Sequence, residues 1–66
     1  MKYRSEVRSR SDKDVLLYAW EGPNHAVVKY HAMRAAWDYE ANSQEPAGPI
    51  VLVFKIDDEG RWELVD

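Results

Sequence analysis

The chain predicts an α+β fold of order ββαββ, a four-stranded antiparallel sheet with one helix packed on one face. Three stretches carry that expectation: the alternating "KYRSEVRSR" at the start, the helical "PNHAVVKYHAMRAAWDYEA" over residues 23–41, and "IVLVFKIDDEGRWELV" near the end, which reads as a hairpin. All 66 residues fit a single small domain, 1–66, with room for one thin core.

Taken in order, the first stretch alternates as a strand does, with Tyr3, Ser5 and Val7 on one side and Lys2, Arg4, Glu6 and Arg8 on the other. "SDKD" turns the chain, and "VLLYAW" returns as a second strand. A rival reading exists for residues 12–21, because Ser11 followed by Asp14 has the spacing of a helix capping box. On a helical wheel, however, Val15, Leu16, Leu17, Tyr18 and Trp20 scatter around the whole circumference. A short helix apolar on all sides is a poor surface element, whereas a strand in the middle of a sheet tolerates apolar residues on both faces. Strand is therefore the preferred reading. The alternative, two helices and a hairpin, would make a minimal winged helix.

The helix begins cleanly, with Gly22 and Asn24 as cap candidates and Pro23 at or just before its first residue. Asn42 is a suitable terminator, and "NSQEPAGP" is a loop because Pro46, Gly48 and Pro49 oppose regular structure. Residues 49–56 and 61–65 then form the hairpin, with Gly60 free to adopt the left-handed conformation its short acidic turn needs.

The helix carries two apolar stripes. At about 100° per residue, Ala26, Tyr30, Met33 and Trp37 share one band, and Val28, Ala32, Ala35 and Tyr39 share a second, about 160° away. Only one can lie on the sheet. The first has more area to bury; the second is small and smooth and would allow close approach. The sheet is apolar on both faces as well: Leu16, Tyr18 and Trp20 point opposite to Val15, Leu17 and Ala19, and Ile50, Leu52, Phe54 and Ile56 opposite to Val51 and Val53. One helix covers one face, so surplus apolar surface is expected, of the kind that meets another chain.

Composition excludes several classes of function. With no cysteine there are no disulfides, zinc knuckles or thiol nucleophiles. No apolar run is long enough to span a bilayer and the charged N-terminus does not read as a signal peptide, so a soluble cytoplasmic protein without membrane contact is expected. His25 and His31 lie about 120° apart on the wheel and cannot bind one metal from this helix alone. "DDEG" lacks the alternating ligands of a calcium loop, the three glycines are too scattered to cradle phosphate, and no serine stands at a recognisable distance from a base. The expectation is a non-enzyme without a cofactor.

Nucleic acid is the competing class. Lys2, Arg4, Arg8 and Arg10 would share one face of the first strand, with Lys13 in the turn, and such a stripe can follow phosphates. Against it, the chain has a formal net charge of −3 and Glu6 interrupts the stripe. Charge along a sheet edge also serves to discourage strand-to-strand aggregation.

"KYRSEV", a polar turn, "VLLYAWEG" and a helix with "HAMRAAW" resemble, in the order of strands and helix, the small bacteriophage inhibitors of bacterial RNA polymerase. "VFKIDDEGRWELV" is similar to the terminal hairpin of some compact anti-CRISPR proteins. The resemblance is one of architecture over most of the chain and transfers no functional residue. It implies a class of very short, cysteine-free, non-catalytic proteins from phages or mobile elements that inhibit a host machine by occupying its surface. The resulting expectation is a protein-binding module, with a homodimer as a compatible use of the apolar surplus. The expected contacts are Tyr18, Trp20, Tyr30, Trp37 and Tyr39, with Asp57, Asp58 and Glu59 as steering charge.

Overall fold

A computed structural model describes residues 1–43 and 48–66. It contains strand β1 (Lys2–Arg8), strand β2 (Leu16–Gly22), helix α1 (His25–Asn42), strand β3 (Ile50–Ile56) and strand β4 (Trp62–Leu64). The fold is the ββαββ arrangement, a four-stranded antiparallel sheet with one helix on one face. The expected loop break at Pro46 lies outside the described residues.

Strand order is β2-β1-β3-β4. Both β2 and β3 run antiparallel to β1, so they run parallel to one another with β1 between them, and α1 is the crossover that joins them. This corrects two expectations. The apolar β2 is an edge strand, although its two-sided hydrophobicity suggested the middle of a sheet. The charged β1 is central, so its basic residues lie on a sheet face and cannot act as edge guards. The reason is topological: the crossover through α1 leaves β2 and β3 parallel, and in an antiparallel sheet two parallel strands need a third between them, the place β1 takes.

Residues 9–15 turn where expected. The Ser9 amide donates to the Val15 carbonyl (3.1 Å), the Val15 amide to the Asp12 carbonyl (3.0 Å), and the Asp12 carboxylate accepts from the Asp14 amide (3.1 Å). Asp12 thus folds the backbone as an Asx turn, and no helix starts at Ser11. A register shift follows: Val7 pairs with Tyr18 but Arg8 pairs with Leu16, leaving Leu17 as the extra residue of a β-bulge. The bulge interrupts the alternation of β2, so Leu17 packs with Tyr18 against the same core cluster instead of opposite to it.

Asn24 caps α1, its side chain accepting from the Val27 amide at 3.2 Å, and Pro23 stays outside the helix. At the other end the Asn42 side chain donates to the Asp38 carbonyl (2.7 Å), satisfying one of the last free carbonyls. In the second hairpin the Asp57 carboxylate accepts from the amides of Glu59 and Arg61, each at 2.9 Å, the Gly60 amide donates to the Asp57 carbonyl, and Gly60 has φ +81°. That geometry requires glycine, because a side chain at positive φ is strained.

The core is a thin layer between sheet and helix. From the sheet come Ser5, Val7 and Val53, and from the helix Val28, Ala32 and Ala36, all buried, with Leu17, Tyr18, Ala35 and Val51 packed around them. The helix therefore turns its small stripe inward. A plate results, with extents of 40 × 21 × 14 Å and a radius of gyration of 12.1 Å, against about 11 Å for a rounder chain of this length.

Candidate interaction surface

The consequence of an inward small stripe is an outward large one. Val27, Tyr30, Met33 and Trp37 project from the solvent side of α1, with Tyr30 60% and Trp37 65% exposed. Tyr30, Met33, Arg34 and Trp37 line a shallow groove along this face. The spacing that puts them together is i, i+3, i+7 on one helix.

Trp20 extends this surface onto the sheet. It lies on β2 on the helix side, where its ring stacks on His31 at a centroid distance of 4.2 Å, and the ring of Tyr30 meets His31 edge-on at 5.8 Å. Trp20, His31 and Tyr30 thus make one continuous aromatic strip from the β2 edge to the crest of the helix. Trp20 nonetheless stays 41% exposed.

Among the described residues no helix covers the other face of the sheet. Its centre is an ionic ladder along β1. The Nε atoms of Arg4 and Arg8 each donate to one oxygen of Glu6 at 2.9 Å, and Glu21 receives Arg4 Nη1 at 2.7 Å and Lys2 Nζ at 3.0 Å. Arg8 also donates to the Lys13 carbonyl (3.0 Å), and Arg10 to the Gly48 carbonyl (2.7 Å). Burial opposes the charged form of Glu6 more than any other single influence. The hydrogen bonds and charges of Arg4 and Arg8 together outweigh it, so the carboxyl titrates below the ordinary glutamate range. Hydrogen bonds from Lys2 and then Arg4 likewise hold Glu21 low. Beside the ladder run Ile50, Leu52 and Phe54 of β3. The Trp62 ring lies 5.5 Å from that of Phe54, with the Arg4 guanidinium 5.5 Å above it.

The chain end beyond β4 fastens to the helix. Val65 and Asp66 both direct their amides at the Val53 carbonyl, a second bulge, and this carries the Asp66 carboxylate to Lys29 Nζ at 2.6 Å. Lys29 accordingly holds the Asp66 carboxyl low. His25 Nε2 sits 3.4 Å from the same carboxylate without hydrogen-bond geometry, and its ring stacks on Tyr3 at 5.2 Å.

Of the expected contact residues, Trp20, Tyr30 and Trp37 share one surface. Tyr18 and Tyr39 are only partly exposed: Tyr18 packs against the core, and Tyr39 falls on the inward side of the helix. Asp57, Asp58 and Glu59 form the hairpin turn away from the helix. There Asp57 organises the backbone, Asp58 faces the terminal amine at 3.6 Å and Glu59 pairs with Arg61. Met33 belongs to the aromatic surface by its stripe, a signal present in the wheel. The His31 stack and the contribution of Trp62 to the open sheet face had no local signal, since each depends on which strands become neighbours.

Among the described residues no three His, Asp or Glu side chains are grouped to hold a metal ion, and no helix is long and apolar enough to cross a membrane. No protein-family model, curated protein or solved structure matches the chain.

Proposed function

We propose that this chain is a small protein-binding module whose contact surface is the outer face of α1 continued by Trp20. The observation that carries the reading is the inversion of the helix: Val28, Ala32 and Ala36 are inside, while Tyr30 and Trp37 stand in solvent. Aromatic side chains in such a position contribute strongly when a partner covers them, because each removes a large apolar area from water at little cost in side-chain entropy. The surface offers aromatic rings, a thioether and the Arg34 guanidinium, a combination suited to an apolar groove with an acidic rim on a partner.

The finer reading follows the architectural resemblance: an inhibitor encoded by a phage or mobile element that acts in the host cytoplasm by occupying the surface of a larger complex. The acidic turn Asp57–Glu59 would steer its approach, and the absence of cysteine suits that compartment. Nucleic-acid binding through Lys2, Arg4, Arg8, Arg10 and Lys13 draws less support, since Lys2, Arg4 and Arg8 already face Glu21 and Glu6.

The test is a comparison of captured proteins. Immobilised protein and its Trp37→Glu variant are exposed to bacterial lysate, with circular dichroism confirming equal folding. A host protein retained by the first and lost by the second, at both low and high salt, is the expected result. Identical retention by both would end the helix-face reading. Binding that collapses with salt and with nuclease treatment would favour nucleic acid instead.

A further inference from the structure

We infer that β2 pairs with the β2 strand of a second copy, antiparallel about a two-fold axis at Ala19, to give one continuous eight-stranded sheet.

The direction of each backbone group follows from the hydrogen bonds. Val53 exchanges its amide and carbonyl with Val65 and Asp66 on the β4 side. In an antiparallel ladder a residue's N–H and C=O point the same way and alternate along the strand. Leu52 and Phe54 therefore face β1, where their partners are Glu6 and Arg4. Ser5 then faces β2 and its partner Trp20, consistent with the Ser5 hydroxyl reaching the Trp20 carbonyl at 3.4 Å. By the same alternation Ala19 and Glu21 direct their N–H and C=O outward, where no strand among the described residues lies.

Apart from the bulge at Leu17, which disturbs only its start, this edge lacks the usual protections. β2 is seven residues long, "LLYAWEG", with no proline or lysine and a single charged residue. That residue, Glu21, is turned back onto Lys2 and Arg4. By contrast β4, at the far edge, has three residues.

A second copy suits the edge better than an unrelated strand because the sequence complements itself. With Ala19 on the axis, a small side chain meets its own image. Tyr18 stands opposite Trp20 of the other copy, twice, on the helix side. The two Glu21 residues are about 13 Å apart along the strands and do not repel strongly.

The helices also fit. α1 lies over β1 with β2 and β3 to either side, so the two helices would stand about 14 Å apart, three strand spacings. Directly packed helices are about 8–10 Å apart. The Trp20–His31 stack of each copy occupies the difference. A strand of this length with a helix layer above it buries on the order of 600 Å² per copy, the lower end of a specific interface. Micromolar dimerisation is the matching expectation.

Sedimentation equilibrium of the intact chain, from micromolar to millimolar, should show a monomer–dimer equilibrium. Chemically synthesised chain with an N-methyl group on the Ala19 amide loses one outward donor per copy while every internal hydrogen bond stays intact. Its dimer dissociation constant should rise about tenfold or more. Ala19→Lys, which places two like charges on the axis and has Glu6 as a neighbour within the monomer, should weaken the dimer comparably. Trp37→Ala should leave the dimer unchanged, which separates this inference from the helix-face reading. A monomer at every concentration, or a dimer indifferent to both changes at Ala19, would overturn it.

Discussion

The interior and the exterior of this molecule hold opposite kinds of side chain. Between sheet and helix the fully buried residues are valines, alanines and a serine, whereas all three tryptophans, Trp20, Trp37 and Trp62, stand 41–65% exposed. A folding core ordinarily takes the largest apolar residues, since each buried Å² of apolar area contributes about 25 cal/mol. The inversion teaches that close approach is what the helix and sheet gain here. Small side chains let the layers come together with few voids, and the large rings are left for contacts beyond the domain. The interlayer should be intolerant of change and the outer surface indifferent to it until a partner is present.

The strongest way to break the contrast is to enlarge the interior. Ala32 is wholly buried at the centre of the helix face, and Ala32→Leu should destabilise by about 3 kcal/mol through overpacking, read from urea denaturation. A small effect would mean that the layers are loosely packed and the contrast is weaker than drawn.

Next in size is the ionic ladder of the open face. Glu6→Gln should cost about 2 kcal/mol by leaving the guanidinium groups of Arg4 and Arg8 without their shared carboxylate. The same group sets a pH dependence. The folded pKa of Glu6 lies below its unfolded value, so its contribution is fully present above the unfolded value, near 4.5, and is lost as pH falls through the lower folded value. Thermal melting should therefore hold steady from pH 7 to 5 and fall below about 4.5, more steeply for the wild type than for Glu6→Gln.

A smaller effect sharpens the role of the helix as a rigid display element. Asn24→Ala removes the acceptor for the Val27 amide and should cost about 1 kcal/mol. Smallest of all, Trp37→Ala should shift stability by no more than about 0.5 kcal/mol, although it deletes the most area. Tryptophan fluorescence should accordingly be red-shifted and easily quenched by iodide in the free protein. A blue, protected emission from the monomer would contradict the inversion directly.

Much of the fold was legible along the chain. Alternation gave the sides of β1 correctly, with Tyr3, Ser5 and Val7 toward the helix and Lys2, Arg4, Glu6 and Arg8 away from it. The cap at Asn24, the end at Asn42 and the glycine turn at Gly60 all lie where residue chemistry put them. The candidate surface was half legible. The wheel separated the two stripes of α1 but gave no reason to choose between them, because area favoured Tyr30 and Trp37 inside while closeness favoured Val28 and Ala32. Leu17 departs from the expected alternation for a simpler reason: a bulge changes the parity of a strand, and a one-residue insertion leaves no mark in its composition.

Sequence alone thus determined the order of the elements, the sides of β1 and the caps and turns, since those depend on residues a few positions apart and on backbone geometry that local side chains control. Tertiary structure alone decided that the charged β1 is central and the apolar β2 lies at the edge, that the small helix stripe faces inward, and that Trp20 meets His31. Those outcomes depend on which strand the crossover must span and on how closely two layers can approach, quantities that belong to the whole assembly and to no single stretch of it.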